Sequence, residues 1–372
     1  MSTAIDAAGG VYSDLPELDA ADWNNYAEQQ GWSDGLPTIP PIPELIEELV
    51  AMLPTDTMPL PQLPPNRRTP TLASLAANAV MAGCQPQHFP VVVAAVRAVA
   101  VDEYNLHGSL ATTHPCGPMV MLNGPIRQEI GINCGTNCMG QGTKANAVIG
   151  RGLQLSLRNI GGAIPGVTDR ATFGSPAKYS FCFGEREEDS PWEPYHVRQS
   201  FAAEDSVVTV MAAEPPHNIN DHGSTTGEGI LTTCAGTMAI SGSNQTYVRG
   251  PHFVVFCIEH AATLQRDGWN VDDIREWLFS NARIPMDRIS AGNHRQFEEH
   301  GIKPLKDGYP VSTGPEQIQI AVAGGEGKHS VWIPSFGGTE VSSVPIVRAA
   351  CESPEHGRRH GEDRRRRGTA HQ

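Results

Sequence analysis

The sequence contains no apolar stretch approaching the roughly 20 residues needed to cross a bilayer. Its first residues include Asp6, Asp14 and Glu17 and carry no cationic start before an apolar core. Neither a membrane span nor a secretory leader is expected, and the chain reads as cytoplasmic. Positive charge is also short: 27 Lys and Arg stand against 41 Asp and Glu, a net charge of −14 at pH 7. Residues 352–372 are arginine-rich, so the preceding body is more acidic still. Non-specific nucleic-acid binding and adhesion to anionic membranes both need a basic surface and are not expected. The 8 cysteines are scattered over 372 residues, which suits reduced thiols rather than a disulfide frame.

What is present begins with a short polar phrase that occurs twice. The first copy is Asn105-Leu106-His107-Gly108-Ser109, followed by Thr112-Thr113-His114-Pro115-Cys116-Gly117. The second is Asn220-Asp221-His222-Gly223-Ser224, followed by Thr232-Thr233-Cys234, with His217 and Asn218 just upstream. If the two halves are related units, the two histidine loops are expected to converge on one cleft.

Periodicity gives an α/β fold class, with strands alternating with helices in two pseudo-related α/β units sharing a cleft. Helices are expected from Pro43, over 72–82, 90–101, 144–159, 259–266 and 272–281, and strands over 179–183, 206–212, 252–258 and 318–323. The domain reading is a mobile 1–22, a proline-rich wrapping segment over 23–70 with one helix from Pro43, units over 71–200 and 201–350, and a disordered tail over 351–372. Residues 23–43 are read as a non-helical lead-in.

Two imidazoles, two amides and two carboxylates fall within Glu214 to His222. Imidazole titrates near neutrality and serves as acid, base or metal ligand, although Asn, Asp and His also favour plain turns. His217 and His222 are assigned to proton transfer, Asp221 to orienting an imidazole, and Asn218, Asn220, Ser224 and Asn105 to substrate contacts. His107 and His114 are expected to face them. Were the four rings to meet, a divalent metal could bind, but their spacing matches no metal motif, so no metal ligand is assigned. Cys84 precedes a helix start and is a candidate nucleophile.

Lys144, opening a helix after a glycine loop, is a candidate for an anionic substrate group. Lys328, His329 and Ser330 end a strand as a third wall of the cleft. Gly324 to Ser330 lacks the phosphate-loop pattern and the chain lacks a dinucleotide fingerprint, so no nucleotide cofactor is expected. Glu259 and His260 open a further helix, where an acid often serves only as a dipole partner.

The stretches Trp32 to Pro41, Asn78 to Cys84, Asn105 to Pro115 and Gly174 to Cys182 resemble the large proteins associated with UGSC-motif selenoproteins, over about residues 30–345. The resemblance implies thiol or selenol chemistry in which a small cysteine- or selenocysteine-containing partner carries the nucleophile. This chain has no Cys-Gly-Ser-Cys. The favoured expectation is an oligomeric enzyme using His/Asp acid–base chemistry to cleave or rearrange a bond in a small polar molecule, with Lys328 offsetting an anion. The alternatives are the substrate-binding subunit of a thiol- or selenol-dependent reductase and a non-catalytic assembly subunit.

Overall fold

The computed structural model describes residues 19–55, 59–305 and 308–349. The mobile terminus expected over residues 1–22 lies outside them as far as residue 18, and the tail expected over 351–372 lies wholly outside. In chain order the strands are β1 (Gly117–Asn123), β2 (Cys182–Gly184), β3 (Val207–Ala213), β4 (His217–Asn220), β5 (His252–Phe256), β6 (Arg283–Pro285), β7 (Gly308–Pro310), β8 (Ile318–Val322), β9 (His329–Ile333) and β10 (Ser342–Pro345). Two four-stranded sheets have the orders β10-β3-β1-β2 and β4-β9-β5-β8, and β6 pairs with β7.

The two large sheets share one pattern of directions. β3 is antiparallel to β1 and β10, and β1 is parallel to β2. β9 is antiparallel to β4 and β5, and β5 is parallel to β8. The edge strands are exchanged: β3 runs on into β4 at the edge of the second sheet, and β9 runs on into β10 at the edge of the first. The crossing segments lie against each other, with Glu214 N–H donating to the Pro334 carbonyl and Phe336 N–H to the Ala212 carbonyl, both at 2.8 Å. The boundary expected near residue 200 is therefore corrected, because β3 and β10 both belong to the first sheet.

Successive strand residues face opposite ways, and here both faces are covered. Met119 and Met121 of β1, Met211 of β3, Phe253 and Val255 of β5 and Ile333 of β9 pack between the sheets. Val120, Leu122, Val208 and Val210 face the helices Leu72–Ala82, Phe89–Val99 and Lys144–Asn159. Val254, Phe256, Ile320 and Val322 face Gly227–Met238, Ile258–Arg266 and Val271–Asn281. The result is an α/β fold in four layers, helix, sheet, sheet, helix. Burial on both faces explains why these strands read as continuous apolar runs.

The lead-in departs from expectation. Ala20–Gln29 is a helix capped by the Asp19 carboxylate, which accepts from the N–H groups of Ala21 and Asp22 at 2.9 Å. This helix buries Trp23 and Ala27, and the burial outweighs the turn-forming residues around it. The remainder does wrap a neighbour: Arg151 holds the Asp34 carboxylate through two bonds of 2.8 Å. Among the described residues no single helix is long and apolar enough to cross a membrane. The pair Leu72–Ala82 and Pro86–Val99 reaches that length only together, bent by 118°, and both members lie in the core.

Candidate functional site

β4, β5 and β8 run in one direction and β9 starts where they end. One edge of the second sheet therefore gathers Asp221 and His222 after β4, Cys257 and His260 after β5, the Gly324 to Lys328 turn after β8, and His329 and Ser330 at the start of β9. In open α/β sheets this carboxyl edge is where ligands bind.

The outer layer of this edge is an imidazole pair. His222 Nε2 lies 3.2 Å from His329 Nε2, with the rings edge-on at 73° and centroids 5.0 Å apart. His329 Nδ1 lies 3.0 Å from Asn218 Oδ1, brought there because Asn218 and His329 sit on paired strands. With the amide oxygen accepting, His329 carries its proton on Nδ1 and offers a lone pair at Nε2 to the His222 Nε2–H. The tautomers follow from this network. Both rings are exposed. The Gly327 N–H donates to Glu259 Oε1 at 2.7 Å, fixing the turn beside them.

Beneath the pair lies a buried relay. His260, on the Ile258–Arg266 helix, places Nδ1 2.8 Å from Ser330 Oγ and Nε2 3.0 Å from the Asp221 carbonyl. Ser330 Oγ also accepts from the Cys257 N–H at 3.1 Å. Cys257 is the N-cap of that helix. Burial alone would raise its thiol, but the His260 imidazole and backbone and the Ser330 hydroxyl outweigh it and hold the thiol below its ordinary range. Burial likewise opposes charge on His260, and Cys257 with the Asp221 carbonyl reverses it, raising the imidazole. Cys257 was not singled out from sequence. The available signal was a buried strand, a cysteine at its end, and a histidine three residues into the helix.

Several expected roles change. The Asp221 carboxylate accepts from Ser224 N–H at 2.8 Å and Thr233 Oγ1 at 2.7 Å, so it closes the turn. The Asp221 backbone carbonyl, not its carboxylate, meets an imidazole. Ser224 serves that turn, Ser330 is buried and supports His260, and Asn218 holds His329 rather than a substrate oxygen. Asn220 is exposed on β4 opposite His329. His217 packs beside Trp332, centroids 5.5 Å apart, and Lys328 is half-buried next to the pair.

The first histidine loop does not join them. His114 Nε2 contacts Glu214 Oε1 at 2.9 Å, and Glu214 also accepts from Asn244 N–H at 2.8 Å. These groups precede β1 and β5 or follow β3, so they lie at the opposite edge of the sheets. Asn105 adopts a left-handed conformation, φ 52°, and accepts from Gly108 N–H to cap the short Leu106–Leu110 helix. His107 is exposed beside Asn105 in a surface hollow with Gln62 and Arg67. Among the described residues no group of three or more His, Cys, Asp or Glu is placed to hold a metal ion, so the four rings form no ligand set.

Cys84 packs with its thiol 3.2 Å from the Val148 carbonyl, and burial pushes that thiol up to about 12 despite the charges of Lys144 and Arg151. It is a small core residue, not an activated nucleophile. Lys144 is exposed at the start of its helix in the first unit. Neither a family model, nor a curated protein, nor a solved structure matches this chain.

Proposed function

We propose that this chain is a cytoplasmic enzyme that uses the His222–His329 pair for acid–base cleavage or rearrangement of a bond, such as carbon–heteroatom, in a small polar organic substrate. One observation carries the reading: two exposed imidazoles share a hydrogen bond at a sheet's carboxyl edge while an amide fixes the tautomer of the inner ring. In that arrangement His222 Nδ1 presents a lone pair outward as general base. On taking a proton, His222 passes its Nε2 proton to His329, whose Nδ1–H keeps its bond to Asn218 in either state. The stored proton then returns to a leaving heteroatom. A positioned group of this kind contributes about 10²–10⁴ in rate. Lys328 alongside is suited to an anionic substrate group.

A second reading, thiol chemistry, is favoured by Cys257 at a helix N-terminus beside His260. It also accommodates the resemblance to the UGSC-associated large proteins, with a small cysteine- or selenocysteine-containing partner delivering a further nucleophile. The test of the first reading is mass-spectrometric profiling of a mixture of small polar metabolites incubated with wild type and His329→Gln. The expected result is a compound consumed by wild type and spared by the variant. Consumption equal in both sinks the imidazole reading. Consumption lost only in Cys257→Ser, or only without a thiol partner, turns the account to thiol chemistry.

A further inference from the structure

A chemically mixed hollow lies at the other end of the molecule, at the start of β1. It has a volume of about 320 Å³, at the lower end of the roughly 300–1,000 Å³ range of small-molecule sites. Three distant segments close it: the lead-in at Asp34, the Leu106–Leu110 turn, and the 163–179 loop against the Lys144–Asn159 helix. Leu106, Leu110 and Leu155 supply an apolar wall. Phe173 stands on the rim, 97% exposed.

The lining holds two carboxylates, Asp34 and Asp169, and two cations, Arg158 and Lys178, and Arg151 reaches Asp34 from outside it. Asp34 is held by Arg151 at 2.8 Å, and Asp169 by Lys178 at 2.6 Å. Arg158 is the remaining charged residue in the lining. Among the described residues no carboxylate pairs with it; it makes one long contact, 3.4 Å, to the Gly31 carbonyl, and its Nε is buried without a partner. A buried guanidinium N–H left unpaired is costly, and a guanidinium fork matches a carboxylate. We infer that this hollow is a binding site for an organic monoanion, a carboxylate on an apolar body, with the carboxylate on Arg158 and the body against Leu106, Leu110 and Leu155. Phe173 is placed to cover the ligand.

The site is separate from the imidazole edge, so its test is independent of turnover. Benzoate, phenylacetate and hexanoate serve as probes, with their neutral amides as controls, in calorimetric titration of the full chain. The expected result is saturable millimolar or tighter binding of at least one carboxylate, with its amide bound about tenfold or more weakly. Arg158→Gln is expected to lose a similar factor. Ala171→Trp, a fill from the half-buried side of the lining, is expected to abolish binding at unchanged melting temperature, which covers the case of an Arg158 variant that misfolds. No saturable binding of any of the three, equal affinity for acid and amide, or undiminished binding to both variants overturns the inference.

Discussion

At the scale of single residues, the exposed imidazoles proposed for proton transfer differ from the buried one that holds structure. His222 and His329 are exposed and make few packing contacts, so alanine at either position is expected to cost about 10²–10⁴ in kcat/KM. Melting temperature should stay within about 2 °C of wild type, because exposed substitutions move stability little. His260 differs: it is buried and bonded on both nitrogens, and His260→Ala should lose stability and activity together. Thermal melts alongside kinetics distinguish the two behaviours. The thiols divide in the same way. Burial holds Cys84 up at about 12, whereas Cys257 is held low. Cys84→Ala should leave turnover unchanged, and iodoacetamide under partly opened native conditions should label Cys257 ahead of Cys84, as peptide mass spectrometry reads.

At the scale of elements, the lead-in is fastened to the Lys144–Asn159 helix by the Asp34–Arg151 clasp. Burial would raise the Asp34 carboxyl, but the hydrogen bonds and charge of Arg151 outweigh it and bring it below the usual carboxylate range. A depressed folded value means the clasp stabilises above the unfolded carboxylate pKa of about 3.9 and is lost as pH falls through the lower folded value. Asp34→Asn should therefore cost about 1–3 kcal/mol at pH 7 and progressively less as pH falls below about 3.9, measured by urea unfolding across that range. Gly124, just beyond β1, has φ 81°, and a Cβ there would overlap the Asp205 carbonyl. Gly124→Ala should destabilise by more than about 2 kcal/mol, from left-handed strain and displaced backbone together.

Helices were expected over 72–82, 144–159 and 259–266, and the structure forms them at Leu72–Ala82, Lys144–Asn159 and Ile258–Arg266. β4 was not expected, because only Ile219 of its four residues is buried and a polar edge strand of that length looks like a loop. β9 was missed for another reason: it opens on the exposed His329 at the end of a glycine-rich turn, although Ser330, Trp332 and Ile333 are buried.

At the scale of the molecule, exchanging β4 and β10 between the sheets ties the two units into one cooperative body. Phe253 lies between the sheets, so Phe253→Ala should cost about 3–5 kcal/mol. It should shift a single unfolding transition seen alike by far-UV and near-UV circular dichroism. Two separated transitions would mean that the halves fold apart. The α/β class was legible because strands buried on both faces leave continuous apolar runs. The exchange was not, since nothing local in β3 or β9 states which sheet the next strand joins. The repeated histidine phrase also misled: Asn105 caps a helix ahead of β1, whereas Asn220 ends β4, so similar wording occupies different places. The four histidines expected in one cleft do not meet; His222 instead pairs with His329, which opens β9.

The central claim is that this pair moves one proton as a unit, and groups acting as a unit are non-additive. A double-mutant cycle on kcat/KM with His222→Ala, His329→Ala and the combined variant, using whichever metabolite the wild type consumes, tests it most directly. The account predicts that the combined variant loses no more than either single one. Losses that multiply, or single variants that turn over at the wild-type rate, would contradict it.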